Sequence, residues 1–117
     1  MKLPLFASCL SGALLTGGIA FAHHGWGSYD ATRLMTITGN VERADWQNPH
    51  VLVVVPYQGK SWEAVLAPPF RMNARGLEPD LIKPGTQVRL EGYPSTRTAT
   101  EMRAERISVS GKTYELR

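Results

Sequence analysis

Residues 50–55, His-Val-Leu-Val-Val-Val, constrain what this chain can fold into more than any other stretch. Five consecutive aliphatic residues, four of them valine, suit a pleated surface better than a helix, and a run without polar alternation predicts a strand covered on both faces. Proline cannot donate to a ladder, so Pro49 and Pro56 bound that strand. A strand buried on both sides needs paired neighbours, and the rest of the chain supplies candidates.

Upstream, Met35, Ile37, Gly39 and Val41 alternate with polar residues, the period of a half-buried strand. Beyond Glu42 the apolar positions become Ala44 and Trp46, a parity slip that predicts a β-bulge near Arg43. The Gln47-Asn48-Pro49 corner leads into the central run, and Gln58-Gly59-Lys60 turns the chain into a third alternating strand through Trp62, Ala64 and Leu66, forming a hairpin. Pro68-Pro69 opens a short helix that closes at Gly76, with Phe70, Ala74 and Leu77 on its inward side. After the Lys83-Pro84-Gly85 turn, Val88 and Leu90 face inward in a fourth strand. Residues 102–109 form a fifth, with a second parity change between Ala104 and Ile107, and a short last strand follows Gly111-Lys112.

Three strands, a short helix, two strands and a tail are the element order of an OB-type domain, with the helix plugging one end. The predicted fold is therefore all-β with one short helix, a small five-stranded OB-fold-like barrel over residues 34–117. Residues 23–33, glycine-spaced and aromatic, form an irregular arm that packs through Trp26 and Tyr29. Lys2, the apolar run that follows it and the ending Ala20-Phe21-Ala22 predict a secretory signal over residues 1–22, cut before His23. Ser11, Gly12, Thr16, Gly17 and Gly18 interrupt the run, so no stable membrane span is expected after processing.

The expected compartment is periplasmic or secreted, in a bacterium. Cys9, the single cysteine, falls inside the leader, so the processed chain has no thiol for a disulfide or a thiolate metal site. Taking Lys2 from the 13 basic residues and setting the rest against 10 acidic ones gives a formal charge of +2. That small, dispersed excess argues against nucleic acid as a partner.

Few residues carry chemistry. A processed amino terminus would offer the amine and imidazole of His23 and the imidazole of His24, and His50 completes a nitrogen set if the arm folds back; nitrogen donors of this kind favour copper(II). Trp26, Trp46, Asn48 and Trp62 are the candidate rim for a protein or glycan partner. Asp45 and Glu63 are the carboxylates open to a hydrolase reading, but no nucleophile elbow, phosphate loop or zinc-protease motif accompanies them, and no enzymatic activity is expected. Asn48-Pro49 also has a purely local role as a turn, with His50 capping it.

Ala22-His23-His24 with Trp26, the strand from Thr36 to Val41, the Trp46-Gln47-Asn48-Pro49-His50 corner and the Lys83-Pro84-Gly85 turn resemble the pattern of a family of short exported bacterial proteins of unknown function. That resemblance implies a periplasmic or secreted β-domain and brings no activity with it. The chain is more distantly similar to periplasmic OB-fold copper chaperones in size, compartment and expected fold, although it lacks their closely spaced methionine pair. The expected function is an exported binding module, for copper through the leader histidines or for a periplasmic protein, glycan or small ligand through the aromatic rim.

Overall fold

The computed structural model of the chain describes residues 26–117; the leader, Cys9, His23 and His24 lie outside the described residues. The described chain is all-β with one short helix. Its strands are β1 (Met35–Asn40), β2 (Arg43–Asp45), β3 (Leu52–Tyr57), β4 (Lys60–Val65), β5 (Gln87–Pro94), β6 (Glu101–Val109) and β7 (Lys112–Glu115). They form one sheet in the order β1-β5-β6-β4-β3-β2, with β7 paired to β6. The β4–β6 ladder is parallel and the others are antiparallel.

Two features of the expected five-stranded barrel are corrected. First, β1 and β2 are halves of one bent segment. The Val41 amide donates to the Thr86 carbonyl at 2.8 Å and the Glu42 amide to the Val54 carbonyl at 2.7 Å, so the chain leaves the β5 side and joins β3 within two residues. This is where the apolar parity slips, and the exchange of partners is its cause. The two ends of the sheet order are thus continuous through the chain, and no ladder closes the sheet as a barrel; OB domains are themselves only partly closed. Second, β7 adds a strand by folding back on β6 through Ser110-Gly111, whose φ angles of 50° and 81° give the doubly left-handed turn that matches strand twist. Gln58-Gly59 makes the same turn between β3 and β4, with φ of 51° and 78°.

The second parity change is also a bulge. Glu91 pairs with Arg106 and Gly92 with Ala104, which leaves Glu105 unopposed and bends β6. Gly92 sits where the backbones approach most closely: a Cβ there would meet the Arg103 carbonyl oxygen and lie 2.8 Å from Ala104 Cα.

The core collects Val51, Val53 and Val55 from the central run, Ile37 from β1, Leu90 from β5 and Ile107 from β6. The helix α1 (Pro69–Ala74) ends with Gly76 at φ 89°, its amide donating to Asn73 O and that of Leu77 to Met72 O, the paired bonds of a Schellman stop. Of the three residues expected on the inward face, only Leu77 is buried. Phe70 is 68% exposed and Ala74 is exposed, whereas Met72 and Leu77 are buried. Entry through extended Pro68, whose carbonyl accepts from the amides of Arg71 and Met72, rotates so short a helix that Met72 becomes the plug. Among the described residues no helix is long and apolar enough to cross a membrane.

Candidate functional site

Strand register places two rows of side chains on the face of the sheet opposite Val53, Ala64 and Met102. One row runs Arg43, Val54, Glu63, Glu101; the next runs Asp45, Leu52, Val65, Arg103. The amino-terminal segment crosses over this face. A 3-10 turn at Trp26–Ser28 is tied to the β5–β6 loop by a Tyr29–Ser95 bridge, by the Asp30 amide donating to Pro94 O at 2.9 Å and by the Thr96 amide donating to Ser28 O at 2.8 Å. Between this arm and the residue 46–51 corner lies a cleft of about 520 Å³. Leu52 and Val65 form its apolar floor, in one register row with Arg103; Glu63 and Glu101 lie in the adjacent row, and Tyr29, Gln47 and His50 also line it. Such a volume suits a small molecule or a short segment of a larger one.

Tyr29 donates its hydroxyl to Glu101 at 2.6 Å. Burial, and then this bond and the charge of Glu101, push the Tyr29 hydroxyl well above its ordinary range, with Arg103 acting weakly the other way. Tyr29→Phe is expected to cost about 1 kcal/mol, the worth of a bond to a charged acceptor that water can reach. Urea unfolding measures it, and alkaline absorbance titration should show one tyrosine ionising later than the others in the wild type only.

Arg103 is buried, at 8% exposure. Its guanidinium lies 4.5 Å from the centre of the Trp26 ring, and Arg117 lies 4.5 Å from the same ring. Trp26 also meets Tyr29 and Tyr93 edge-on at 6.3 and 6.2 Å. Nη2 of Arg103 donates to Nε2 of His50 at 3.3 Å. A guanidinium only donates, so the accepting imidazole is neutral and carries its hydrogen on Nδ1. Burial, then the charges of Arg103 and Arg71, hold the His50 pKa below its ordinary value of 6.5. As pH falls below 6.5 the unfolded chain takes up a proton that the folded chain refuses, so this group's share of stability is lost over that window. Stability is expected to fall between pH 6.5 and the lowered folded value, and His50→Gln should flatten that part of the curve in urea titrations at stepped pH.

The other expected site residues fall in different places. Trp46 packs against the core and Asn48 is exposed. The Asn48–Pro49 peptide bond at this corner is cis. Trp62 meets Tyr57 edge-on at 5.6 Å, beside a separate cleft near Arg33 and Pro94. Trp26, Trp46, Asn48 and Trp62 therefore do not make one rim. Asp45 is paired with Arg43 at 3.0 Å, and the carboxylate next to Glu63 in the register is that of Glu101. His50 reaches the cleft, while His23 and His24 lie outside the described residues. Among the described residues no three His, Cys, Asp or Glu side chains are grouped to hold a metal ion. Tyr29, Glu101 and Arg103 escaped the sequence reading as a site. The alternation Glu101, Arg103, Glu105 marks an outward strand face, but nothing local says that Trp26 covers it.

Fold and cleft together define a small OB-like β-domain with a lined depression over its third and fourth strands. The chain belongs to DUF6152, a family of unknown function, whose model matches residues 13–103. No protein of curated function matches it in sequence. Among solved structures it is similar to a ZRD-deleted mutant of TiaS in complex with agmatine, at 16% identity and a TM-score of 0.52, over 74% of this chain and 27% of that one. A complex of TiaS with a transfer RNA and ATP matches at 19% identity and a TM-score of 0.47, over 69% of this chain and 19% of that one. The chain thus spans about a quarter or less of those proteins, and the first likeness is one of fold.

Proposed function

We propose that the chain is an exported, non-catalytic binding domain that holds a small ligand in the cleft beneath its amino-terminal arm. The observation that carries this reading is the cleft itself: an apolar floor of Leu52 and Val65 ringed by fixed polar groups, about 520 Å³ in volume. Its position supports the same reading, since OB-type domains hold ligands on the second and third strands and the flanking loops. Here those elements are β3, β4, residues 46–51 and residues 95–100. Export rests on the leader pattern over residues 1–22.

For a cation, His50 is poorly placed. Its Nε2 accepts from Arg103, and Arg71 adds a second positive field. A copper(II) site at a processed amino terminus would therefore rest on His23 and His24 alone. The cleft reading is tested by adding mixtures of small fragments to the isotope-labelled processed chain and following amide resonances. Perturbations gathered on Gln47, His50, Leu52, Val65 and Glu101 support it. Perturbations gathered instead on Tyr57 and Trp62 would move the site to the neighbouring cleft and contradict it.

A further inference from the structure

Most arginines of the sheet find a carboxylate: Arg43 pairs with Asp45, Arg89 with Glu91, and Arg106 with Glu91, Glu105 and Glu115. Arg103 is the most buried of them, yet no ion pair among the described residues includes it, and its buried Nε has no hydrogen-bond partner. Glu101 stands two residues away on the same strand, but the Tyr29 hydroxyl is bonded to it. Trp26 fixes the guanidinium plane from one side, and His50 takes Nη2 as a neutral acceptor. A guanidinium stays charged even when burial lowers its pKa, so a buried positive charge faces the cleft without a counter-charge. Arg71 and Arg117 reinforce it, and the carboxylate of Arg117's own partner, Glu105, lies outside the cleft lining. Leaving a buried charge unpaired is costly, and a bound anion beside the guanidinium supplies the missing counter-charge.

The adjacent register row of the cleft has the opposite sign, with Glu63 beside Glu101 in the parallel register. A simple anion would be repelled there. We propose that the cleft takes a small zwitterion, its carboxylate held by Arg103 beside His50 and its ammonium facing Glu63 and Glu101. This assignment rests on the reading of the cleft as a binding site and names the class of ligand for it. Amino acids and short amino-carboxylic acids have that chemistry and fit the volume.

Calorimetry on the full processed chain tests it with L-lysine, acetate, 1,5-diaminopentane (lysine without its carboxylate) and inorganic phosphate as probes. Lysine is expected to bind at least about tenfold more tightly than acetate, 1,5-diaminopentane or phosphate, because only lysine satisfies both ends. Arg103→Gln should weaken lysine binding by roughly tenfold or more, the effect of losing a charge-assisted bond. Glu63→Gln, at an exposed position, should bind lysine more weakly and, by removing a repelling charge, bind acetate at least as well as the wild type does. Should Arg103→Gln fail to fold, His50→Leu keeps the test open, since it removes the acceptor that supports the guanidinium and should also weaken lysine.

Tighter binding of phosphate than of lysine, equal binding of lysine and 1,5-diaminopentane, or lysine binding untouched by His50→Leu would each overturn the assignment. In those cases amide shifts still confined to the cleft would leave the binding-domain reading standing. No saturable binding of any probe below roughly 10 mM, with no cleft resonance moved by any fragment, would remove both.

Discussion

Gly92→Ala is expected to be the most damaging single methyl group in the domain. The added Cβ would fall on the Arg103 carbonyl oxygen and within 2.8 Å of Ala104 Cα, and both are backbone atoms of the adjoining strand. A flexible side chain could swing aside; a ladder cannot. Relief requires β5 and β6 to separate at the bulge that turns the sheet, beside Leu90 and Ile107 of the core. The expected loss is about 3 kcal/mol, the upper end of ordinary overpacking. For a domain of this size that lowers the melting temperature by roughly 12–24 °C in calorimetry. Gly39→Ala is the control, because its Cβ would sit 3.1 Å from Pro56 O and need only a small adjustment. A Gly92→Ala protein melting within a few degrees of the wild type would mean that the bulge geometry described here is not the one in solution.

Trp26→Ala is expected to have the second-largest effect, and it reaches the cleft as well as stability. The ring holds two guanidiniums, Arg103 and Arg117, and two aromatic edges, Tyr29 and Tyr93. Cation–π contacts contribute about 0.5–2 kcal/mol each, and edge-to-face pairs about 0.5–1.5 kcal/mol. Because these contacts share one ring they do not add in full, and a total near 2–3 kcal/mol is expected from urea unfolding. Without the ring the arm keeps its hydrogen bonds to residues 94–96 and the bond from Tyr29 to Glu101. Amide hydrogens of Tyr29 and Asp30 should then exchange much faster in the variant, while those of β3 change only in step with global stability. Unchanged protection of the arm would show that Trp26 does not hold it.

Much of the fold was legible because strand signals are local. The valine run became β3, Gln58-Gly59 made the expected hairpin, and both parity slips proved to be real departures from regular pairing, at Val41–Glu42 and at Glu105. The phase of α1 was not legible. Spacing alone admits either face in a helix of six residues, and the entry angle at Pro68 decides it. Sheet closure was not legible either, since it depends on how one bent strand divides its hydrogen bonds between two partners.

The cleft was the least readable part. Trp26 and Tyr29 were expected to pack the arm, and they do, but their partners Arg103 and Glu101 lie more than seventy residues away along the chain. His50 was expected to serve its own turn or a metal, and instead it accepts from an arginine 53 positions downstream. A buried arginine within a strand looks in sequence like any outward charge. Only the tertiary structure reveals that no carboxylate among the described residues pairs with it.

The central claim is that the cleft over Leu52 and Val65 is the binding surface, and filling it tests that claim most directly. Val65 is a partly exposed floor residue, so Val65→Trp would occupy the cleft from below with little cost to the core. Binding of the ligands found by amide mapping should be abolished in this variant, with the melting temperature held within a few degrees of the wild type. If a folded Val65→Trp protein binds those ligands with unchanged affinity, the site lies elsewhere on the molecule.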